Sequence, residues 1–323
     1  EIGAADGAAD GGGVVAAPVA FAPFYLAWDP TSTRVGYLGN GPGGIEFGVL
    51  EGGRAEAVDR GQPYYFSWEP GGERLLAHIA SARLDFVGID GTFETLDVEP
   101  APFNAPVWAA GGGSLVYAAV IDDEQRVILS DADGGDPVAL ARYEGRASLV
   151  LDSGGRRLAV QSSAAGTSDQ PAVAASVEGA AAVPAVLRQA PPLLVGLTVI
   201  DLDTGAVTAV TTDFAAAFFW SPNGRRLLSL HLVDGPERTW FRWRVWEDGT
   251  VLDGPRVLPS RTCASEYLAF FDQYAQSMTP WSPDGDAFVY AGTDEDGLGG
   301  IWVQPVADGA APVRVGGGTF ASW

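Results

Sequence analysis

Short runs of alternating apolar and polar residues, each broken by a cluster of turn formers, recur along the chain, and one phrase returns with variations. It runs FYLAWDPTSTRVGYLG from Phe24, YYFSWEPGGERLLAHI from Tyr64, NAPVWAAGGGSLVYAA from Asn104 and ASLVLDSGGRRLAVQS from Ala147. It returns as AAFFWSPNGRRLLSLH from Ala216 and SMTPWSPDGDAFVYAG from Ser277, and TFASW from Thr319 opens another copy. The anchor positions are Trp28, Trp68, Trp108, Leu151, Trp220, Trp281 and Trp323, spaced by 40, 40, 43, 69, 61 and 42 residues. A repeated period of this size signals a modular architecture. Each phrase predicts a hairpin: an apolar strand, a tight turn, then a strand rich in β-branched and aromatic residues. In Ser282-Pro283-Asp284-Gly285, proline presets φ at one corner and glycine supplies the left-handed residue. Five of the six full copies carry glycine there; the first has Ser32, which predicts a looser turn. Two more strand-like runs follow each hairpin, for example Arg83 to Ile89 and Thr92 to Val98, joined at Asp90-Gly91.

A four-stranded antiparallel sheet with two apolar faces cannot bury both alone, whereas a ring of such sheets buries each against its neighbours. The expected fold is therefore an all-β β-propeller of four-stranded antiparallel blades. Six blades are visible from about Phe24 to Gly317, and the copy at Trp323 either opens a seventh or pairs back onto the first. Residues 1–22, rich in Gly, Ala and Asp, read as a flexible tether without the charged and apolar regions of a signal peptide, and 23–323 as the propeller. Both ends read as cut from a longer chain.

The Trp-Ser-Pro-Asp-Gly phrase, best matched at Trp220 to Gly224 and Trp281 to Gly285, resembles the TolB-like β-propeller repeat. The third and fourth copies depart from it, with Ala109-Ala110 and Asp152-Ser153 in place of Ser-Pro. The resemblance implies a fold more than a function, because blades of this type occur in transport-complex proteins, in exported binding modules and ahead of peptidase domains. It implies a place outside the cytoplasm, periplasmic or on the cell surface.

Two insertions interrupt the period. Residues 164–192, rich in Ala, Pro and Val, lack alternation and read as a surface loop, an inert insertion or a docking arm. Residues 259–276 contain TCASEYLAFFDQYAQS from Thr262, where Tyr267, Phe270, Phe271 and Tyr274 fall at helical spacing, with Ser265 as a candidate cap. An aromatic stripe ordinarily means packing. The same stretch supplies the candidate binding residues Tyr267, Phe271, Asp272, Gln273 and Tyr274, since rings beside a carboxylate and an amide at a channel mouth suit a peptide or a sugar. Thr239 to Trp246 (TWFRWRVW) alternates Trp and Arg, a pattern that predicts packing between blades with arginine stems across rings.

Composition narrows the chemistry. The 323 residues are 47% hydrophobic, enough for a large core, and 41 acidic against 19 basic residues give a net charge of −22, which repels nucleic acid. The longest apolar runs fall short of the roughly 20 residues of a membrane span. Cys263 is the one cysteine, so neither an intrachain disulfide nor a multi-thiolate metal site is expected. There is no Gly-x-Ser-x-Gly elbow, no His-Glu-x-x-His and no Walker loop. His78 and His231 lie among leucines and read as core histidines. The acidic turns at Asp131, Asp201 and Asp294 do not complete a calcium loop. No catalytic residue, metal ligand or cofactor is therefore expected. The reading is a non-catalytic propeller that binds a protein or peptide through one rim. The alternatives are the gating propeller of a serine peptidase resembling the prolyl oligopeptidase or dipeptidyl peptidase families, and a glycan- or lactone-acting propeller enzyme.

Overall fold

The computed structural model describes residues 2–4, 15–17, 19, 21–102, 104–109, 111–163, 191–235, 239–274 and 278–323. The docking-arm reading of 164–192 falls almost wholly outside them. Strands β1 (Ile2–Ala4) and β2 (Val15–Ala17) pair as a two-stranded ladder. The other described strands form antiparallel sheets in strict sequence order. The first sheet is β3 (Ala22–Trp28), β4 (Arg34–Gly41), β5 (Gly44–Glu51) and β6 (Arg54–Arg60). The second is β7 (Tyr64–Trp68), β8 (Arg74–Ile79), β9 (Arg83–Gly88) and β10 (Phe93–Thr95). The third is β11 (Val107–Trp108), β12 (Ser114–Ile121), β13 (Glu124–Asp131) and β14 (Val138–Tyr143). The fourth is β15 (Arg146–Leu151), β16 (Arg157–Ser163), β17 (Gly196–Asp201) and β18 (Val207–Thr211), so residues 164–195 join its second and third strands.

A seven-stranded sheet completes the series: β19 (Ala215–Trp220), β20 (Leu227–Asp234), β21 (Thr239–Glu247), β22 (Thr250–Pro259), β23 (Ala287–Thr293), β24 (Gly299–Pro305) and β25 (Val313–Gly316). It is two units joined at one seam. The last residues of β22, Leu258 and Pro259, pair with Thr293 and Gly292 at the end of β23, and a bridge from Trp281 to Phe288 supplies the inner edge of the second unit.

The hairpin turns explain the residue after four of the anchors. The Asp29 carboxylate accepts the amides of Thr33 and Arg34, both at 2.9 Å, and Asp152 accepts those of Arg156 and Arg157 at 2.7 and 2.8 Å. In the later copies Ser221 Oγ accepts the Arg226 amide and Ser282 Oγ the Ala287 amide, both at 2.9 Å. Ser32 corrects an expectation: its φ of 58° and its amide bond to the Asp29 carbonyl give it the same turn that glycine makes in the other copies. Its hydroxyl-bearing side chain is tolerated in the left-handed region at a strain of roughly 1 kcal/mol. The acidic turns are backbone devices of the same kind: Asp131 accepts the amides of Asp133 and Gly135, and Asp294 those of Asp296 and Leu298.

Successive sheets stack through the anchors, which makes the architecture that of a β-propeller. Trp68 packs on the first sheet so closely that a Cβ on Gly36 would lie 2.8 Å from its ring. The Trp108 amide donates to Ser67 at 3.1 Å. The Trp220 indole donates to the Val150 carbonyl at 3.1 Å, and that of Trp281 to the Phe219 carbonyl at 2.9 Å. Arginines at the start of the second strands fasten the outer ends: Arg34 reaches the Gly72 carbonyl, Arg74 that of Ala132 and Arg226 that of Gly285. Arg74 also lies 5.5 Å from the Trp108 ring and Arg157 4.8 Å from the Trp220 ring, favourable cation–π geometry. In TWFRWRVW the arginines do something else. Arg242 and Arg244 both pair with Asp253, while Trp243 is buried against Phe288. Among the described residues no helix is long and apolar enough to cross a membrane.

Candidate functional site

The segment leading from β22 to Trp281 enters the middle of the molecule. It forms one π-helical turn over Cys263–Tyr267 and one 3-10 turn over Leu268–Phe270. The expected helix is therefore present but irregular, and its cap is Ser260, whose Oγ accepts the Cys263 amide at 3.1 Å. Ser265 instead donates back to the Arg261 carbonyl. The change of helical pitch splays the aromatic residues that a regular helix would put in one stripe.

The rings then divide between innermost strands, Tyr267 and Phe271 on β19 and Tyr274 on β3 and β7. Tyr267 stacks on Phe219 of β19 with centroids 5.6 Å apart and donates its hydroxyl to the Met278 carbonyl at 2.9 Å. Phe271 meets Phe218 edge-on at 4.9 Å. Tyr274 reaches the first two sheets, 5.6 Å from the rings of both Tyr25 and Tyr65, and donates to the Tyr64 carbonyl at 3.3 Å. Asp272 hydrogen-bonds to Ser148 of β15. One segment of twelve residues thus touches β3, β7, β15 and β19, which places it on the axis those strands surround. Of the five candidate residues, Tyr267, Phe271 and Asp272 are buried and Gln273 and Tyr274 half-buried; the neighbouring Phe270 is exposed.

Burial sets the electrostatics here. Desolvation raises the Asp272 carboxyl above its ordinary value, against the lowering effect of the Ser148 hydrogen bond and the Arg146 charge. Burial and the Asp272 charge push the Tyr65 phenol up to about 12. A carboxyl raised in the folded state contributes stability below its unfolded pKa and loses it as pH rises through the folded value. Thermal melts of Asp272→Asn beside the parent are therefore expected to show the variant gaining relative stability from acid to neutral pH. A parallel pair of curves would contradict the assignment.

Beneath the segment lies a cavity of about 340 Å³ that opens on the face bearing the hairpin turns. Val107, Leu151, Phe219 and Trp220 form its walls, with Phe271 and Met278 at its base. Its polar side chains are engaged locally: Ser153 donates to the Pro222 carbonyl and Ser221 holds its own turn. Among the described residues no titratable side chain lines it, so what they can do there is desolvate an apolar group, not move a proton. Of the five candidates, only Phe271 contributes to this cavity; Leu151, Phe219 and Trp220 were visible in the sequence only as repeat positions. Two larger hollows, about 540 and 690 Å³, lie on outer strands; among their charged residues Arg244 pairs with Asp253 and Arg74 with Glu69.

Both histidines are core residues. His78 is 1% exposed with Nδ1 2.6 Å from the Asn104 carbonyl, and burial lowers its pKa. His231, equally buried, sits 2.8 Å from Ser229 and is brought down to about 4 by burial and by Arg244. Burial raises the Cys263 thiol to about 11, which leaves it unreactive.

No protein-family profile matches the chain, and no curated protein sequence matches it. Solved structures do. An oligogalacturonate lyase in complex with manganese is 12% identical, with a TM-score of 0.57 over 91% of this chain and 76% of that one. The oligogalacturonate lyase of Vibrio parahaemolyticus is 11% identical, with a TM-score of 0.57 over 90% and 77%. TolB of Acinetobacter baumannii is 14% identical, with a TM-score of 0.47 over 91% of this chain and 64% of its own. At these identities the likeness is one of fold. The manganese of the first structure has no counterpart that this chain's residues fit, since no group of three His, Cys, Asp or Glu among the described residues is placed to hold a metal ion.

Proposed function

We propose that the protein is a non-catalytic binding module of six visible blades, whose axial cavity receives an apolar side chain of a protein or peptide partner. The carrying observation is the cavity itself, walled by three innermost strands and floored by Phe271. A partner residue entering it exchanges water for aromatic contacts at about 25 cal/mol per Å² of apolar area buried. The buried candidates on the axial segment serve this site by holding its floor. Display outside the cytoplasm belongs to the same reading and rests on the TolB-like repeat. The lyase-like alternative draws on the shared fold, while the described residues lining the cavity include no acid, base or metal ligand for it.

The test is selection of a displayed peptide library on the purified protein, followed by affinity measurement. Peptides with one large apolar residue are expected to be enriched. Leu151→Glu, which puts a charge at the rim, is expected to weaken them by on the order of tenfold, about 1.4 kcal/mol. Equal binding to the variant would place the site elsewhere and reject the reading.

A further inference from the structure

The axial cavity takes its walls from the free edges of innermost strands, and the ladder registers show which main-chain groups those edges present. In an antiparallel pair every second residue spends its N–H and C=O on the neighbouring strand, and the residue between turns both away from it. The Asp152 amide donates to the Arg157 carbonyl, and the β15–β16 register runs back from there without a shift, Leu151 opposite Leu158 and Val150 opposite Ala159. Asp152 and Val150 therefore bond towards β16, and the N–H and C=O of Leu151 point to the axis. The same count on β19, starting from the Ser221 amide on the Arg226 carbonyl, turns those of Trp220 to the axis.

The anchors on either side satisfy this edge from within the molecule. The Trp108 amide donates to Ser67 Oγ and the Trp281 amide to Thr279 Oγ1, both at 3.1 Å. Leu151 and Trp220 line the cavity, and among the described residues their main-chain N–H and C=O have no hydrogen-bond partner. The hydroxyl side chains of Ser153 and Ser221 are engaged in their own turns, so these main-chain groups are the open polar part of an otherwise apolar wall. Leu151 is half-buried at the cavity, whereas the other residues that turn to the axis on β15, Ala147 and Leu149, are buried, and Ser148 between them holds Asp272 of the axial segment. The edge is thus open at one residue and not along the strand.

We propose that Leu151 is the specificity-determining residue of the axial site through its main chain, which forms an antiparallel β-bridge with the partner residue whose apolar side chain enters the cavity. The bridge rests on the cavity being the binding site, as proposed above, and names its occupant as an extended peptide segment. Two residues bridged in this way exchange both N–H···O=C bonds, so a single partner residue satisfies Leu151. Opposite residues also place their side chains on one face, which sets the guest side chain beside that of Leu151 in the cavity wall. A helical partner spends its N–H and C=O within its own turns and has none for Leu151. A small hydrocarbon fills the cavity but leaves the edge unmet, and a main-chain donor shielded from water without a partner weakens the complex.

The experiment titrates the purified protein with the peptide acetyl-Thr-Ser-Leu-Ser-Thr-amide. Methylating the leucine nitrogen removes the donor to the Leu151 carbonyl and is expected to weaken binding by on the order of tenfold. Methylating the preceding serine nitrogen, which points away from β15, is expected to change it by no more than about twofold. Exchange of the Leu151 amide proton is expected to be fast in the free protein and slowed by the peptide. Leu151→Pro and Leu151→Val carry side chains of equal carbon count, and only proline lacks the N–H. Because that N–H lies outside the β15–β16 ladder, the two variants should melt together, with proline binding on the order of tenfold more weakly; if proline lowers the melting temperature, the methylated peptides still decide. Equal affinity of the N-methyl-leucine peptide, with binding still lost when alanine replaces the leucine, would overturn the bridge and leave the cavity as the site. A leucine peptide that does not bind, or binds no better than its alanine counterpart, would reject the cavity reading and the bridge with it. Slow exchange of the Leu151 amide without peptide would mean that the chain itself holds the group, and would also overturn the proposal.

Discussion

Trp281→Ala is expected to lower the free energy of unfolding by about 3–5 kcal/mol, whereas Trp28→Ala, at the same position of the repeat, is expected to change it by no more than about 0.5 kcal/mol. Trp281 is fully buried, its ring is edge-on to Phe288 with centroids 6.1 Å apart, and its indole N–H is satisfied by the Phe219 carbonyl. Truncation removes the ring contacts, leaves a cavity between two units and strands that carbonyl. Trp28 has most of its surface in water, so alanine there removes little. Urea denaturation of the two variants beside the parent decides the matter. Equal losses would mean that the anchors do not act by packing on the preceding sheet.

Phe271→Ala is the second large effect, expected at about 3–4 kcal/mol. The ring is buried and edge-on to both Phe218 and Phe219, 4.9 and 5.7 Å away. Its loss enlarges the axial cavity and detaches the segment's floor from β19. Binding of an apolar peptide side chain and stability should fall together, and Phe271→Leu, which keeps most of the volume, should restore the larger part of both. A binding loss with unchanged stability would instead make Phe271 an exposed contact.

The contrast between the two tryptophans also marks what was legible in the sequence. The strand pairs and hairpins followed from the turn phrases, since Pro, Asn, Asp and Gly act locally and their geometry travels with them. Ser32 shows the limit of that logic: a turn held by the Asp29 carboxylate imposes a left-handed conformation on whatever residue stands there. The service of Asp29 and Asp152 as acceptors for two turn amides each, and of Ser221 and Ser282 for one, was written in the repeat but reads as mere polarity without the geometry.

The site was less legible, for a different reason. Tyr267, Phe271 and Tyr274 were recognisable as a group, yet their destinations depend on a π turn and a 3-10 turn that no residue spacing announces, and on strands up to 210 positions away, as in the bond from Tyr274 to Tyr64. The cavity walls come from β11, β15 and β19, whose residues are ordinary repeat residues until the sheets converge. The arginines of TWFRWRVW were drawn away from the neighbouring rings by Asp253, a carboxylate on the adjacent strand, because a charged pair outcompetes a ring face at short range.

The account rests on the sheets closing around an axis that residues 263–274 occupy. Nuclear Overhauser spectroscopy on protein with selectively labelled Phe and Tyr rings tests this most directly, because a linear stack of the same sheets would leave Tyr274 far from the first two. The expected result is cross-peaks from the Tyr274 ring to those of Phe24, Tyr25 and Tyr65, at centroid separations of 5.5, 5.6 and 5.6 Å. A Tyr274 ring that reports only its neighbour Phe270 would contradict the ring arrangement.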